Sequence, residues 1–260
     1  MSEVDAVRIP TRRHRRWPWV LLIMLVLLVL GVIYAGDAIA RPIAQELVAQ
    51  KMASALGVEP GDLHVTFAST PLPLQLLDGR VDTVDVVAKD LSLGPITADT
   101  TVHAEKVPLD QSQPTGALRV TVAVDQAHLD QVAKALGGGY VQSVSLKAPD
   151  VVASGSVTVF GIPVPLGVSL TPGAVDGRIA FTPTAVQAVG QTLTIDQLRQ
   201  NPQLRGVADT LAQQQTICIA DHLPKAVTVT SVKVVGSRLV ATATGDGVVL
   251  SELGTKGSCG

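Results

Sequence analysis

Aromatic residues are scarce in this chain of 260 residues, which holds two Trp, two Tyr and three Phe. Trp17, Trp19 and Tyr34 fall in one apolar stretch near the N-terminus, so Phe67, Tyr140, Phe160 and Phe181 are the only rings left for the remainder. A surface that stacks nucleobases needs several exposed rings, and this remainder cannot supply them. Sugar stacking is disfavoured for the same reason, and the interior must be aliphatic.

Positive charge is also short once the N-terminus is set aside. Five of the 20 basic residues, Arg8, Arg12, Arg13, Arg15 and Arg16, lie in the first 36 positions with Glu3 and Asp5, leaving 15 basic against 20 acidic residues, a net of −5. Nucleic acid is a poor partner for such a surface.

Only two cysteines occur, Cys218 and Cys259. They are too far apart in sequence for a CxxC redox or zinc motif. In an oxidising compartment one bridge between them is the economical reading. Closing a loop of about 40 residues, it would contribute roughly 3 to 4 kcal/mol in the chain-entropy model. Two free thiols are the alternative.

Catalytic and metal-binding motifs are missing as well. His14, His64, His103, His128 and His222 form no HExxH or HxH pattern, and there is no GxSxG elbow or SxxK. His64 and His103 read as solvated on the polar faces of strands, and His222 as a cap on a last helical turn. Gly137-Gly138-Gly139 follows a helix pattern, where a phosphate loop would precede one. Asp82, Asp85 and Asp90 lack the DxDxDG pattern of a calcium loop and read as the solvent face of a strand. No catalytic residue, metal ligand or cofactor is assigned, and the chain reads as a non-enzyme.

What the chain does have is an apolar run from Trp17 to Ala35 without Asp, Glu, Lys or Arg. Its length reaches the threshold of about 18 residues at which a transmembrane helix becomes the leading reading. The preceding arginines favour a cytoplasmic N-terminus, and Trp17, Trp19 and Tyr34 mark both ends with interfacial rings. A cleaved signal peptide competes, because Ala38-Ile39-Ala40 has the small-x-small form of a cleavage site. The retained anchor is preferred, and both readings place the folded part outside the cytoplasm. The expected organisation is a basic cytoplasmic tail over residues 1–16, an anchor over 17–36 and an extracytoplasmic domain over 37–260.

After the run, Asp37 is a candidate cap for an amphipathic helix that has Pro42 near its first turn and ends at Gly57, and both a break at Gly36 and continuity with the run are open. From Leu63 the period changes to two. Strands are predicted over Arg80–Ala88, Ile96–Val107, Ala117–Val124, Val141–Ala148, Val151–Phe160, Pro163–Leu170, Val175–Thr182, Ala226–Val235 and Arg238–Thr244. Turn signals at Asp78-Gly79, Pro172-Gly173, Asp176-Gly177 and Gly236-Ser237 suit antiparallel hairpins. Two further helices are expected, one capped by Asp125 and carrying Leu129, Val132, Ala133 and Leu136, the other over Leu204–Ala220. An α+β fold follows, a large antiparallel sheet packed on a few helices.

Three stretches together resemble the LmeA-like phospholipid-binding family of actinobacteria: the helix Asp37–Gly57, the segment Thr70-Pro71-Leu72-Pro73-Leu74-Gln75-Leu76-Leu77-Asp78-Gly79, and Cys218-Ile219-Ala220-Asp221-His222-Leu223-Pro224 before Val227–Val235. Pro73 stands where the family has Phe. The resemblance implies a tubular lipid-binding-like fold, a long curved antiparallel sheet wrapped on a helix around an apolar groove. It also implies a cell-envelope protein that binds phospholipid and supports assembly of lipomannan-type glycolipids. An aliphatic cavity can take acyl chains at about 0.8 kcal/mol per buried methylene.

Candidate groove residues are Ile43, Leu47 and Val48 on the helix, Phe67 on the first strand, and the cluster Leu72, Leu74, Leu76 and Leu77. The cluster has two readings, a groove lip or membrane-touching loop and a helical turn plugging the core, of which the second is preferred. The expected partners are phospholipid and the cytoplasmic membrane. The alternative function is a non-enzymatic scaffold that positions an envelope biosynthetic enzyme.

Overall fold

The computed structural model describes residues 17–56, 58–68, 70–93, 96–130, 141–159, 162–188 and 190–259. The basic tail, the stop at Gly57, Val132, Ala133 and Leu136 with the following glycines, and Tyr140 and Phe160 lie outside the described residues.

Helix α1 (Trp17–Leu56) runs unbroken for 40 residues, about 60 Å. No new helix starts at Asp37, and Pro42 lies in the interior, where it removes the N–H that would bond the Ala38 carbonyl. Strong helix formers on both sides, with lateral packing, carry the helix through. From Ile23 to Val32 the residues are exposed. Shielding then recurs at 33, 36/37, 40/41, 44/45, 48/49 and 52/53, a single stripe at helical spacing.

The stripe packs on the first of two antiparallel sheets. That sheet has the order β1 (Leu63–Phe67), β2 (Arg80–Leu93), β3 (Ile96–Pro108), β4 (Leu118–Asp125), β12 (Arg238–Gly245), β11 (Thr228–Val235). Helix α2 (Leu72–Leu77) connects β1 to β2. After β4, residues 126–130 form helix α3, capped by Asp125, whose Oδ1 accepts the His128 backbone N–H at 3.0 Å. The second sheet comprises β5 (Val141–Lys147), β6 (Asp150–Val159), β7 (Ile162–Val175) and β8 (Arg178–Ala188), with β9 (Gln191–Thr194) and β10 (Gln215–Ile217) sharing the free edge of β8. The fold is α+β with antiparallel strands throughout, and its strands are divided between two six-stranded sheets.

Pro172-Gly173 is not a turn. Pro172 pairs with Phe181 and Gly173 with Ala180 inside the β7–β8 ladder. β6 pairs with β7 only as far as Leu170, so Pro172 lies where β7 has an open edge and needs no N–H. The chain reverses at Asp176-Gly177, both with positive φ (51° and 74°), as a two-residue hairpin requires.

The helix predicted over Leu204–Ala220 is also shorter. Helix α5 spans Arg205–Leu211, preceded by α4 (Ile195–Gln200), which Thr194 and Gln197 start with a capping box. The chain then extends, and Thr216 and Ile217, β-branched residues, pair with Ala180 and Ile179. Cys218 therefore follows a strand, and His222 lies in a 3-10 turn (Ala220–His222), not at the end of an α-helix. Cys218 and Cys259 form a disulfide across a Cα separation of 5.8 Å, returning the C-terminus to this turn.

Among the described residues the core falls into three clusters. One joins α1 to β1 and β2 through Ala49, Ala53, Leu63, Val65, Val86, Ala88 and Leu91. A second joins the sheets, with Val229 and Val232 of β11 against Ala174 and Ile179 of the β7–β8 hairpin. The third sets Ile195, Leu198 and Ala208 of α4 and α5 on Val186 of β8.

Candidate lipid-binding surface

Each sheet carries most of its large aliphatic side chains on one face, as period-two strands allow. In the first sheet the face that carries α1 continues across β3 and β4 as Val102, Ala104, Leu118, Val120 and Val122, and onto β12 as Ala241 and Ala243. Its opposite face presents His64, Asp85, His103, Arg119, Thr244 and Lys233.

The second sheet repeats the pattern. Val144, Leu146, Val151, Ala153, Leu166, Val168, Leu170 and Val186 fall in register on one face, while Ser143, Ser145, Ser154, Ser169 and Gln187 fall on the other, where Val152 and Ala185 are buried beside Ser169. Ala174 and Ile179 continue the apolar side and touch β11, so the two apolar faces meet at the joint between the sheets.

Between the three clusters these faces are incompletely covered. Leu118, Val120 and Val122 on β4 are only half-buried, and so are Val144, Leu146, Ala153, Leu166, Val168 and Leu170 in the second sheet. Apolar side chains aligned over several strands and still open to solvent are the expected signature of a surface that takes an apolar ligand. Along β7, Val164 to Leu170 covers about 20 Å at ~3.4 Å per residue, more than the roughly 15 Å of one leaflet of a 30 Å hydrocarbon core.

Among the described residues, one buried side-chain polar atom without a partner lies on this side. Thr100 of β3, between Ala88 and Val122 in register, is buried, and its Oγ1 has no hydrogen-bond partner. A ligand oxygen could accept from that hydroxyl.

The residues expected to form the groove separate into three places. Val48 and Phe67 pack beside the α1–sheet cluster. Leu72 is buried at the start of α2, while Leu74, Leu76 and Leu77 are exposed. Ile43 and Leu47 are exposed on the side of α1 opposite its packed stripe. The inner-face residues of β4, β5, β6 and β7 were not singled out by the sequence reading. Their alternation was the available signal, but it does not say which face turns inward.

The outer face has a different character. A depression of about 710 Å³ there is lined by His103, Glu105, Arg119, Thr228, Thr244 and Asp246 among others. His103 is not merely solvated: Nδ1 is 2.6 Å from Asp85 Oδ1 and Nε2 is 3.5 Å from Glu105 Oε1. The hydrogen bond to Asp85 is the main reason its pKa is raised above the ordinary histidine value, with Glu105 adding to it and desolvation opposing it. Mixed charges on the solvent side of a sheet suit neither acyl chains nor an anion.

No group of three or more His, Cys, Asp or Glu side chains that could hold a metal ion occurs among the described residues. At the N-terminus, α1 contains a stretch long and apolar enough to cross a membrane, as an anchor or a signal segment would.

Comparison with curated proteins and with solved structures finds no match. The model of a family described as LmeA-like phospholipid-binding matches residues 35–244. That match covers most of the chain from the end of the apolar run to the last strand, and the protein belongs to the LmeA-like phospholipid-binding family.

Proposed function

We propose that the protein is a membrane-anchored, non-enzymatic component of the cell envelope that holds phospholipid acyl chains against the apolar faces of its two sheets. The headgroup stays at the polar rim. The observation that carries this reading is the half-buried run of aliphatic side chains on β4, β5, β6 and β7 between three separate core clusters. Membership of a phospholipid-binding family supports the same ligand class. The arginine-rich tail argues for a cytoplasmic N-terminus, and the disulfide suits an extracytoplasmic domain. In that position the protein would carry or present lipid for envelope glycolipid assembly of the lipomannan type.

The test is native mass spectrometry of the full chain released from detergent micelles, with the adduct identified from the same sample. Wild type is expected to carry phospholipid. Val122→Trp and Val168→Trp, which fill the inner faces, are expected to lose most of it, and Lys233→Trp on the outer face to keep it. Equal loading of all four proteins would sink the proposal.

A scaffold for an envelope biosynthetic enzyme is the second reading. It draws on Ile39, Ile43 and Leu47, which recur every four residues and stand exposed on the outer side of α1. Crosslinking from this stripe to one stable partner, with no lipid in the mass spectrum, would favour it.

A further inference from the structure

Helix α2 turns three of its four leucines to the solvent and holds Gln75 inward beside Leu72. Leu74, Leu76 and Leu77 are 39%, 47% and 84% exposed. Gln75 between them is 2% exposed. Its amide is bonded at both ends: Nε2 donates to the Thr70 carbonyl at 2.6 Å, and Oε1 accepts the Asp82 backbone N–H at 2.8 Å. A further exposed leucine adjoins this group. Leu109, 53% exposed and just after β3, donates its backbone N–H to the carbonyl of Gly79, two residues beyond the end of α2. Four solvent-facing leucines thus gather at one end of the first sheet.

The attachment of α2 to α1 fixes the height of this group. A Cβ placed on Gly36 would lie 3.6 Å from the Pro73 side chain, and Asp37 Oδ1 accepts the Leu72 N–H at 2.7 Å. Gly36 is the residue directly after the apolar run Trp17–Ala35, whose 19 residues span about 28 Å at 1.5 Å per residue, close to the roughly 30 Å of a hydrocarbon core. Helix α2 is therefore pinned where the run ends. The backbone leading into it already has partners for its carbonyls. The Arg41 guanidinium donates to the carbonyls of Phe67, Ala68 and Thr70 at 3.1, 2.9 and 3.3 Å, and pairs with Asp37. An unpaired carbonyl is costly wherever water is scarce.

We propose that α2 and the turn after β3 form a membrane foot, with Leu74, Leu76, Leu77 and Leu109 seated in the interfacial layer of the same bilayer that α1 crosses. The foot holds the lipid-binding sheets against the membrane surface. This rests on the anchored reading given above, and the occupant it names is a lipid surface, not a second protein.

The test uses the full chain in nanodiscs of phosphatidylethanolamine and phosphatidylglycerol, with a nitroxide on Leu77→Cys or, separately, Leu109→Cys and the native disulfide retained. Leu27→Cys, inside the run, and Val235→Cys, at the far end of the same sheet, serve as references. Collision with dissolved oxygen is expected to exceed collision with a water-soluble nickel chelate several-fold at 77, 109 and 27, and the reverse at 235. If 27 reports lipid while 77 and 109 match 235, the foot is wrong and the anchor stands. If 27 also reports water, the anchored reading falls and takes the foot with it. Labels at 77 and 109 shielded from both reagents would mean a protein partner covers the foot, which also overturns the proposal.

Discussion

Asp37 and Leu72 are 35 residues apart, yet the Asp37 carboxylate accepts the Leu72 backbone N–H at 2.7 Å. Asp37 is a helix cap, but of α2, the helix beside it, and not of the one that contains it. The first N–H groups of a helix have no partner within it. Here α1 supplies one from its side, and Arg41 one turn on holds the same carboxylate by its other oxygen, Nε donating to Oδ2 at 3.1 Å.

Replacing Asp37 by Ala should therefore loosen α2 and leave α1 helical. Hydrogen exchange read by mass spectrometry is expected to show faster exchange in the peptide covering residues 70–79, with no change in β11 and β12. Uniform acceleration across the first sheet would show that the contact is not local.

Thr100 gives a prediction of opposite sign. A buried hydroxyl without a partner costs about 1 to 3 kcal/mol, and an apolar group of similar shape relieves it. Lipid-free Thr100→Val is expected to gain about 1 kcal/mol in a denaturant melt, and to bind phospholipid more weakly if the hydroxyl donates to it. A less stable variant would mean that the hydroxyl is bonded after all.

The disulfide closes a loop with a sequence separation of 41. Reducing it, or replacing both cysteines by Ser, should cost roughly 3 to 4 kcal/mol in the chain-entropy model. Thermal melts with and without reductant measure the difference, and no shift would mean that the tail contributes nothing to holding the fold.

His103 sets a pH dependence. Its pKa is raised in the fold, chiefly by the hydrogen bond to Asp85. The stabilisation is fully present below the unfolded value of about 6.5 while the carboxylates stay ionised, and is lost as pH rises through the raised folded value. The stability gap between wild type and His103→Asn should thus narrow from mildly acidic to alkaline pH. Both side chains are partly exposed, so the effect is small. A gap that widened with pH would contradict the pairing.

The strand pattern was largely legible in the sequence because alternation is a local property. β3, β4, β5, β6 and β12 lie within one residue of their predicted limits. The failures came where distant partners decided the outcome. Residues 213–217 read as helix by spacing, but the open edge of β8 takes Gln215–Ile217 as a strand. Pro172-Gly173 reads as a turn by composition, but β7 continues because no β6 partner needs the missing N–H there. The leucine cluster read best as a plug, yet only Leu72 is buried, because Gln75 takes the inward position.

By itself the sequence determined an anchor-length apolar run, an aliphatic ring-poor domain with alternating strands, and the one available pairing of Cys218 with Cys259. These follow from composition, from period and from the number of partners on offer, none of which depends on how the chain closes. Only the tertiary structure decided that the run continues without a break into the helix that packs on the first sheet, that Asp37 serves α2, and which apolar faces turn inward and stay half-covered. A period of two assigns residues to the same face, whereas the choice of inner face is made by contacts between distant segments, here β11 against the β7–β8 hairpin and α1 against β1.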